Sequence, residues 1–147
     1  MSFKFGKSSI DELNTCHNDL QLIMNVAIEI TSVDFGISEG YRSVKMQKEY
    51  FDRGLSKIDG ITKKGKHNVY PSIAVDIYPF IEGKAKWDNE HLSYLSGIIH
   101  AVSEILYAQG KIEHKVRWGG NWDMDGVLLL DQSFDDRPHF ELYKPVK

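Results

Sequence analysis

The segment Ile73-Ala74-Val75-Asp76-Ile77-Tyr78-Pro79-Phe80 alternates between apolar side chains and a second set that includes a carboxylate. Because successive side chains of a β-strand point to opposite faces, this pattern predicts a half-buried strand. Its apolar face carries Ile73, Val75 and Ile77, and its other face carries Ala74, Asp76 and Tyr78. Asp76 therefore points away from the apolar face.

A second strand of the same design is predicted at His139–Tyr143. Its apolar face carries Phe140 and Leu142, and its other face carries His139, Glu141 and Tyr143. The two predicted strands thus offer metal-ligand side chains on their polar faces.

Apolar residues recur at steps of three and four after Ser9, which predicts an amphipathic helix. They are Leu13, Cys16, Leu20, Ile23, Ala27 and Ile30. Ser9 and Glu12 have the spacing of a capping box that begins this helix. Cys16 lies on the apolar stripe, which favours a buried, unreactive thiol over a nucleophile.

Two more helices and two more strands are expected. Ser43 is placed to cap a short helix that ends at Gly54, and Asp88 to cap a long helix that Gly110 closes. Strand patterns cover Val33 to Ile37 and His114 to Trp118.

Helices precede and interrupt the short strands without a βαβ rhythm. This order favours an α+β fold with a small, mainly antiparallel sheet packed with helices, its polar face open. We expect residues 1–147 to form a single domain, since the length suits one core and no linker or repeat is visible.

Charge and composition exclude several classes of protein. Lys and Arg number 18 and Asp and Glu 21, a net charge of -3, so nucleic acid is not an expected partner. The longest apolar stretch, Leu20 to Ile30, contains polar residues and is too short to insert across a membrane. Met1 to Ser9 lacks the apolar core of a secretory signal, which predicts synthesis in the cytoplasm.

Four of the six histidines have ordinary interpretations on helix surfaces, in packing or at a strand end: His17, His91, His100 and His114. His67 and His139 differ because each has a carboxylate nearby in sequence, at Asp76 and Asp136.

A catalytic zinc ion takes three protein ligands and keeps its fourth position for water. His67, Asp76 and His139 have suitable ligand types, and Asp136 is placed to stand beside the water rather than on the metal. From spacing alone, the alternative is that these residues are unrelated polar side chains scattered over the surface, so both interpretations stay open.

Three other side chains are candidates for contact with a substrate. Arg42 follows Gly40 at a predicted sharp turn, and a guanidinium can hold a carboxylate or an oxyanion through two parallel hydrogen bonds. An arginine after a strand is more often a solvated surface charge. Trp118 and Trp122 are candidates for a substrate groove, although aromatic residues at strand ends most often complete the core.

Three motifs occur in order along the chain: Gly40-Tyr41-Arg42-Ser43, His67 followed by Ala74-Val75-Asp76, and Asp136-Arg137-Pro138-His139. In this order they resemble the D-alanyl-D-alanine carboxypeptidase and dipeptidase family of zinc peptidases. The resemblance is nearest to the single-domain phage endolysins that act as L-alanyl-D-glutamate peptidases. It covers nearly the whole chain, including the segments at 79–84 and 117–122.

Carried over residue by residue, the resemblance implies that His67, Asp76 and His139 bind zinc. It further implies that Asp136 is the general base and that Arg42 is the cation beside the substrate. The family pattern is shorter between its first histidine and its aspartate, where this chain has Asn68-Val69-Tyr70-Pro71, and it has glycine in place of Ser72.

The resemblance implies a phage enzyme that hydrolyses the L-alanyl-D-glutamate bond in the peptide stem of bacterial peptidoglycan and so lyses the host cell. A D-alanyl-D-alanine carboxypeptidase is the alternative of the same class. The alternative from another class is a zinc-containing binding module without hydrolysis, because the hedgehog signalling domain has a similar fold and zinc site. We expect a monomer, made in the host cytoplasm, that reaches the wall through a membrane pore formed by another protein.

Overall fold

The computed structural model of the chain describes residues 2–56, 60, 65–120, 124 and 136–146. Within these residues the helices are α1 (Lys7–Leu13), α2 (Asn18–Ile30), α3 (Val44–Asp52) and α4 (Asn89–Ala108), with a 3-10 turn at Lys66–Asn68. The strands are β1 (Phe35–Glu39), β2 (Ala74–Ile81), β3 (Lys84–Ala85), β4 (Lys115–Gly119) and β5 (Asp136–Tyr143).

The described strands form an antiparallel sheet in the order β1-β2-β5-β4, and β3 pairs with β2. The register places Asp76 of β2 beside Glu39 of β1 on one side and beside His139 of β5 on the other. The prediction of an α+β fold with a small, mainly antiparallel sheet is confirmed.

Helices α2 and α4 pack against one face of this sheet and enclose the hydrophobic core. On that face Val75, Ile77 and Phe140 are fully buried. Burying a side chain of this size stabilises the fold by about 1.5–3 kcal/mol, so the core fixes which way β2 and β5 turn their alternating side chains. The same alternation puts Asp76 and His139 on the opposite, open face.

The prediction of one helix running from Ser9 to Ile30 is wrong, because the chain breaks between α1 and α2 at residues 14–17. The break pairs with the segment before β2. Ser72 donates its N–H to the Thr15 carbonyl at 2.9 Å, and His17 donates its N–H to the Ser72 carbonyl at 2.8 Å. These bonds turn the backbone groups of the break toward another segment, which a continuous helix cannot do.

Ser9 and Glu12 do not form the predicted capping box, since α1 begins after Gly6. Ser9 Oγ accepts the backbone N–H of Ile37 at 3.0 Å, and Glu12 Oε1 accepts that of Gly40 at 3.0 Å. Both side chains therefore join α1 to β1 and to the turn after it. Local spacing carries no information about partners so distant in sequence.

The other helix ends are as predicted. Ser43 caps α3 and Asp88 caps α4, each side chain accepting a backbone N–H of the first turn. Gly54 and Gly110 follow these helices with φ of +75° and +72°, in the left-handed region that favours glycine. In the described part of the chain, none of the helices has the length and apolar character needed to cross a bilayer.

Candidate metal centre and active site

His67, Asp76 and His139 come together on the open face of the sheet. Asp76 and His139 face each other across β2 and β5, and the 3-10 turn brings His67 over them. Asp76 Oδ1 lies 3.2 Å from His67 Nε2 and 3.1 Å from His139 Nδ1, and the two nitrogens are 3.2 Å apart. We call these three residues the His-Asp-His centre.

The spacing of these atoms fits a tetrahedral metal ion. Ligands about 2.0–2.1 Å from zinc lie ~3.3 Å from one another in a tetrahedron, close to the three separations in the centre. A carboxylate oxygen and two imidazole nitrogens are also ligand types that zinc accepts. The residues present therefore fit the metal that the motif resemblance implies.

The outer nitrogen of each histidine is held by a hydrogen-bond partner. His67 Nδ1 lies 2.7 Å from the Gly40 carbonyl, and His139 Nε2 lies 2.9 Å from Glu141 Oε1. When these outer nitrogens carry the protons, His67 Nε2 and His139 Nδ1 present lone pairs to the same point. Glu141 is itself held by Arg117, whose Nη2 donates to Glu141 Oε2 at 3.0 Å.

The electrostatics of the centre favour a positive charge among the three side chains. Burial acts to raise the pKa of Asp76, but His67 and His139 outweigh it and hold that pKa well below its usual range. Burial lowers the pKa of His139, but hydrogen bonds to Asp76 and Glu141 outweigh burial and raise it to about 10. A bound metal cation supplies the same positive charge that this proton supplies.

Arg42 lies beside the centre and is held by several partners. Its Nε donates to Glu39 Oε1 and its Nη1 to Gln47 Oε1, both at 2.8 Å, and its guanidinium carbon lies 4.6 Å from the Tyr50 ring centroid. Its Nη2 also donates to Glu39 and lies 3.7 Å from Asp76 Oδ2. The interpretation of Arg42 as a freely solvated surface charge is excluded, since its side chain is only 11% exposed.

Asp136, the first residue of β5, stands at the edge of the centre. Its Oδ2 is 4.0 Å from His139 Nδ1, too far for a hydrogen bond, and its side chain is 36% exposed. Burial raises the pKa of Asp136, and the nearby Asp76 carboxylate raises it further. Asp136 is thus near the metal position but outside the triangle of ligand atoms.

The lengthened segment between His67 and Asp76 is tied back to the fold at Ser72. Ser72 is fully buried, and its Oγ donates to the Ala74 carbonyl at 2.6 Å while accepting the Ala74 N–H at 3.1 Å. The exposed Tyr70 ring packs edge-on against Tyr41, with centroids 5.3 Å apart. Val69, Tyr70 and Pro71 are exposed and project outward, whereas Asn68 is buried and its Nδ2 donates to the Arg42 carbonyl at 2.9 Å. The ends of the segment thus keep His67 and Asp76 together.

The remaining sequence candidates lie elsewhere. Trp118 is 2% exposed, donates its indole N–H to the Arg137 carbonyl at 2.6 Å and stacks on Phe140, so it belongs to the core. Trp122 lies outside the described residues. Trp118 is therefore not a groove residue.

Two histidines assigned ordinary roles form a second cluster, with Asp19 between them. His17 precedes α2 and accepts the Asp19 N–H at its Nδ1, at 3.0 Å, and His114 Nδ1 lies 2.7 Å from Asp19 Oδ2. Glu113 donates its N–H to the same carboxylate oxygen at 3.0 Å. The cluster fastens the segment before β4 to the start of α2.

Sequence reasoning did not single out Glu39, Gln47 or Glu141 as parts of the site. Strand alternation indicates the position of Glu141, because this residue alternates with Phe140 and so shares a face with His139. Only the folded structure shows that Glu39 and Gln47 contact Arg42.

Comparison with known proteins identifies the family. The family model described as phage L-alanyl-D-glutamate peptidase matches residues 1–143. The chain belongs to this family. The L-alanyl-D-glutamate peptidase of Escherichia phage T5 is 32% identical over 127 residues, which are 86% of each chain. The suspected resemblance to phage endolysin peptidases is confirmed.

A solved structure supports the fold of this family member. The crystal structure of the Serratia marcescens L-Ala D-Glu endopeptidase ChiX matches with a TM-score of 0.76 and 24% identity, over 97% of this chain and 91% of that one. The α+β architecture that presents the His-Asp-His centre is therefore shared with a known peptidase fold.

Proposed function

We propose that residues 1–147 form one catalytic domain that hydrolyses the L-alanyl-D-glutamate bond of the peptidoglycan peptide stem with the aid of zinc. The observation that carries the proposal is the His-Asp-His centre, whose three ligand atoms lie 3.1–3.2 Å apart in a member of a peptidase family. His67 Nε2, Asp76 Oδ1 and His139 Nδ1 are the atoms that hold the ion.

Bound zinc supplies a water molecule of lowered pKa and polarises the scissile carbonyl. Asp136 is the residue that would take the proton of the attacking water and pass it to the amine of the leaving D-glutamate. Burial raises the pKa of Asp136, which makes its carboxylate a stronger base.

Arg42 orients the substrate and stabilises negative charge on it. Glu39, Gln47 and the Tyr50 ring fix the guanidinium beside the centre before substrate arrives. A cation held in advance needs little reorganisation as an oxyanion develops, which is the main source of its catalytic value. Lysine cannot reproduce the planar, two-pronged contact.

Digestion of purified peptidoglycan, followed by mass analysis of the released fragments, tests the proposal. We expect stem peptides with a new D-glutamate amino terminus, L-alanine left on the muramic acid, and a falling turbidity of the wall suspension. Free D-alanine as the sole product, with steady turbidity, identifies a D-alanyl-D-alanine carboxypeptidase instead. Zinc binding without any product identifies a non-hydrolytic binding module of hedgehog-like fold.

The peptide stem of bacterial peptidoglycan is the partner that this proposal requires. We propose that the chain acts as a monomer, made in the host cytoplasm and released to the wall through a membrane pore formed by another protein. Cleavage where the stem joins the glycan removes the cross-links from the glycan strands, which accounts for lysis of the host cell.

A further inference from the structure

An aromatic surface continues from the His-Asp-His centre along β2. Tyr78 and Phe80 follow Asp76 at alternate positions of the strand, so the three share its open face. The Tyr78 ring centroid lies 6.5 Å from that of Phe80 and 5.9 Å from that of Trp87. Phe80 is 40% exposed and Trp87 is 54% exposed. We call Tyr78, Phe80 and Trp87 the aromatic strip.

A glycine in the neighbouring strand shapes this strip. Gly36 of β1 faces Tyr78 in the register, and a Cβ at Gly36 would meet Cζ of the Tyr78 ring at 2.4 Å. Gly36 is not among the residues with positive φ, so its backbone does not require glycine. The absent side chain instead lets the Tyr78 phenol lie across β1, which extends the aromatic surface over two strands.

We propose that the aromatic strip binds two adjacent sugar rings of the peptidoglycan glycan chain. They are the ring that carries the peptide stem and the ring next to it. This inference rests on the proposed function. The apolar C–H face of a sugar stacks on aromatic rings, while its hydroxyl rim stays in water. A neutral sugar suits the strip better than the rest of the stem, whose carboxylates seek cations such as Arg42.

The distances agree with this occupant. A strand advances about 3.4 Å per residue, which places Tyr78 ~7 Å and Phe80 ~14 Å along β2 from Asp76. Between the scissile carbonyl and the muramic acid ring lie one L-alanine and a lactyl linker, together ~7 Å at about 3.5 Å for each unit. With the scissile carbonyl at the His-Asp-His centre, the first sugar falls on Tyr78 and the next one reaches Phe80 and Trp87.

Two substrates with the same peptide test the sugar site. One carries the stem on an N-acetylglucosamine–N-acetylmuramic acid disaccharide, and the other has an acetyl group on its L-alanine. We expect kcat/KM for the disaccharide substrate to exceed that for the acetylated peptide by about tenfold, the scale of one aromatic stack. Phe80→Ala and Trp87→Ala should each lower that ratio toward one.

Ile105→Ala is the matched control, since Ile105 is a large apolar side chain of α4 with 56% exposure, on a helix packed against the other face of the sheet. It should keep the wild-type ratio. A wild-type ratio near one, or a ratio that neither aromatic substitution changes, overturns the sugar site while the proposed peptidase function stands.

NMR measurement of the binding of the disaccharide without peptide separates the sugar site from the proposed peptidase function. Binding that Trp87→Ala abolishes supports the sugar site even when neither substrate is cleaved, in which case the proposed function alone fails. No binding by the wild-type protein, together with equal rates on the two substrates or no cleavage of either, overturns the sugar site.

Discussion

His139 Nε2 lies 2.9 Å from Glu141 Oε1, two residues farther along the same strand. This bond fixes which nitrogen of His139 faces the metal position. We predict that Glu141→Ala lowers zinc affinity by about 10- to 100-fold, because the ring loses its orientation and some basicity. Glu141→Gln keeps an acceptor oxygen without the charge, so its affinity should lie between those of the alanine variant and the wild type.

Competition with a chromophoric chelator measures these affinities. Glu104→Ala is the control, since Glu104 is a 59% exposed carboxylate that pairs with Lys115 and lies on α4. Equal zinc affinity in the wild type and Glu141→Ala contradicts the positioning role.

Zinc content tests the ligand set itself. The purified protein should hold about one zinc ion at the His-Asp-His centre, and His67→Ala or His139→Ala should lose it, because two remaining ligands hold zinc poorly. His100→Ala is the control, since His100 Nδ1 is engaged with the Ser96 carbonyl of the same helix at 2.8 Å. Elemental analysis after dialysis gives the stoichiometry, and full retention in both ligand variants refutes the assignment.

The role of Asp136 differs from that of a ligand. Asp136→Ala should keep zinc and the fold but lose at least about a hundredfold in kcat, the usual scale of general acid–base catalysis. Asp135→Ala, a substitution of the neighbouring carboxylate in the sequence, should retain most activity. A fully active Asp136→Ala enzyme, or an equal loss in Asp135→Ala, shows that the base was assigned to the wrong residue.

Alternation within strands was the most reliable guide to the fold. Core burial of Val75, Ile77 and Phe140 forces the register that places Asp76 and His139 on the opposite face of the sheet, so local pattern and tertiary packing agree. The prediction of one continuous helix from Ser9 is wrong because local pattern and tertiary contacts disagree there. Its break depends on backbone bonds to Ser72, and periodicity contains nothing about such long-range pairing.

In the site, too, local sequence predicts some residues and not others. Ligand chemistry and motif resemblance pointed to His67, Asp76 and His139, which the fold brings together. The partner that orients His67 is not predictable from spacing, because the Gly40 carbonyl reaches it across 27 positions of sequence. A backbone acceptor also carries no residue-type signal.

Cys16 should be an unreactive thiol. It is 2% exposed, and burial is the main cause that raises its pKa to about 12. Because only the thiolate reacts readily, a disulfide reagent at pH 8 should label the folded protein far more slowly than the protein in urea. Equal labelling rates in the two conditions contradict this burial. Cys16→Ala offers the blank that shows all labelling arises from this single thiol.

Gly40 links the break between α1 and α2 to the metal centre. A Cβ at Gly40 would lie 2.5 Å from both the Glu12 carbonyl oxygen and Thr15 Oγ1, and the carbonyl of Gly40 orients His67. Gly40→Ala should therefore lower the free energy of unfolding by about 1–3 kcal/mol and weaken zinc binding, because the turn must move away from α1. Gly97→Ala in α4 meets nothing within 4 Å and should raise the free energy of unfolding by roughly 0.5–1 kcal/mol. Urea denaturation of the two variants gives the signs, and a Gly40→Ala protein as stable as the wild type shows that the turn yields without strain.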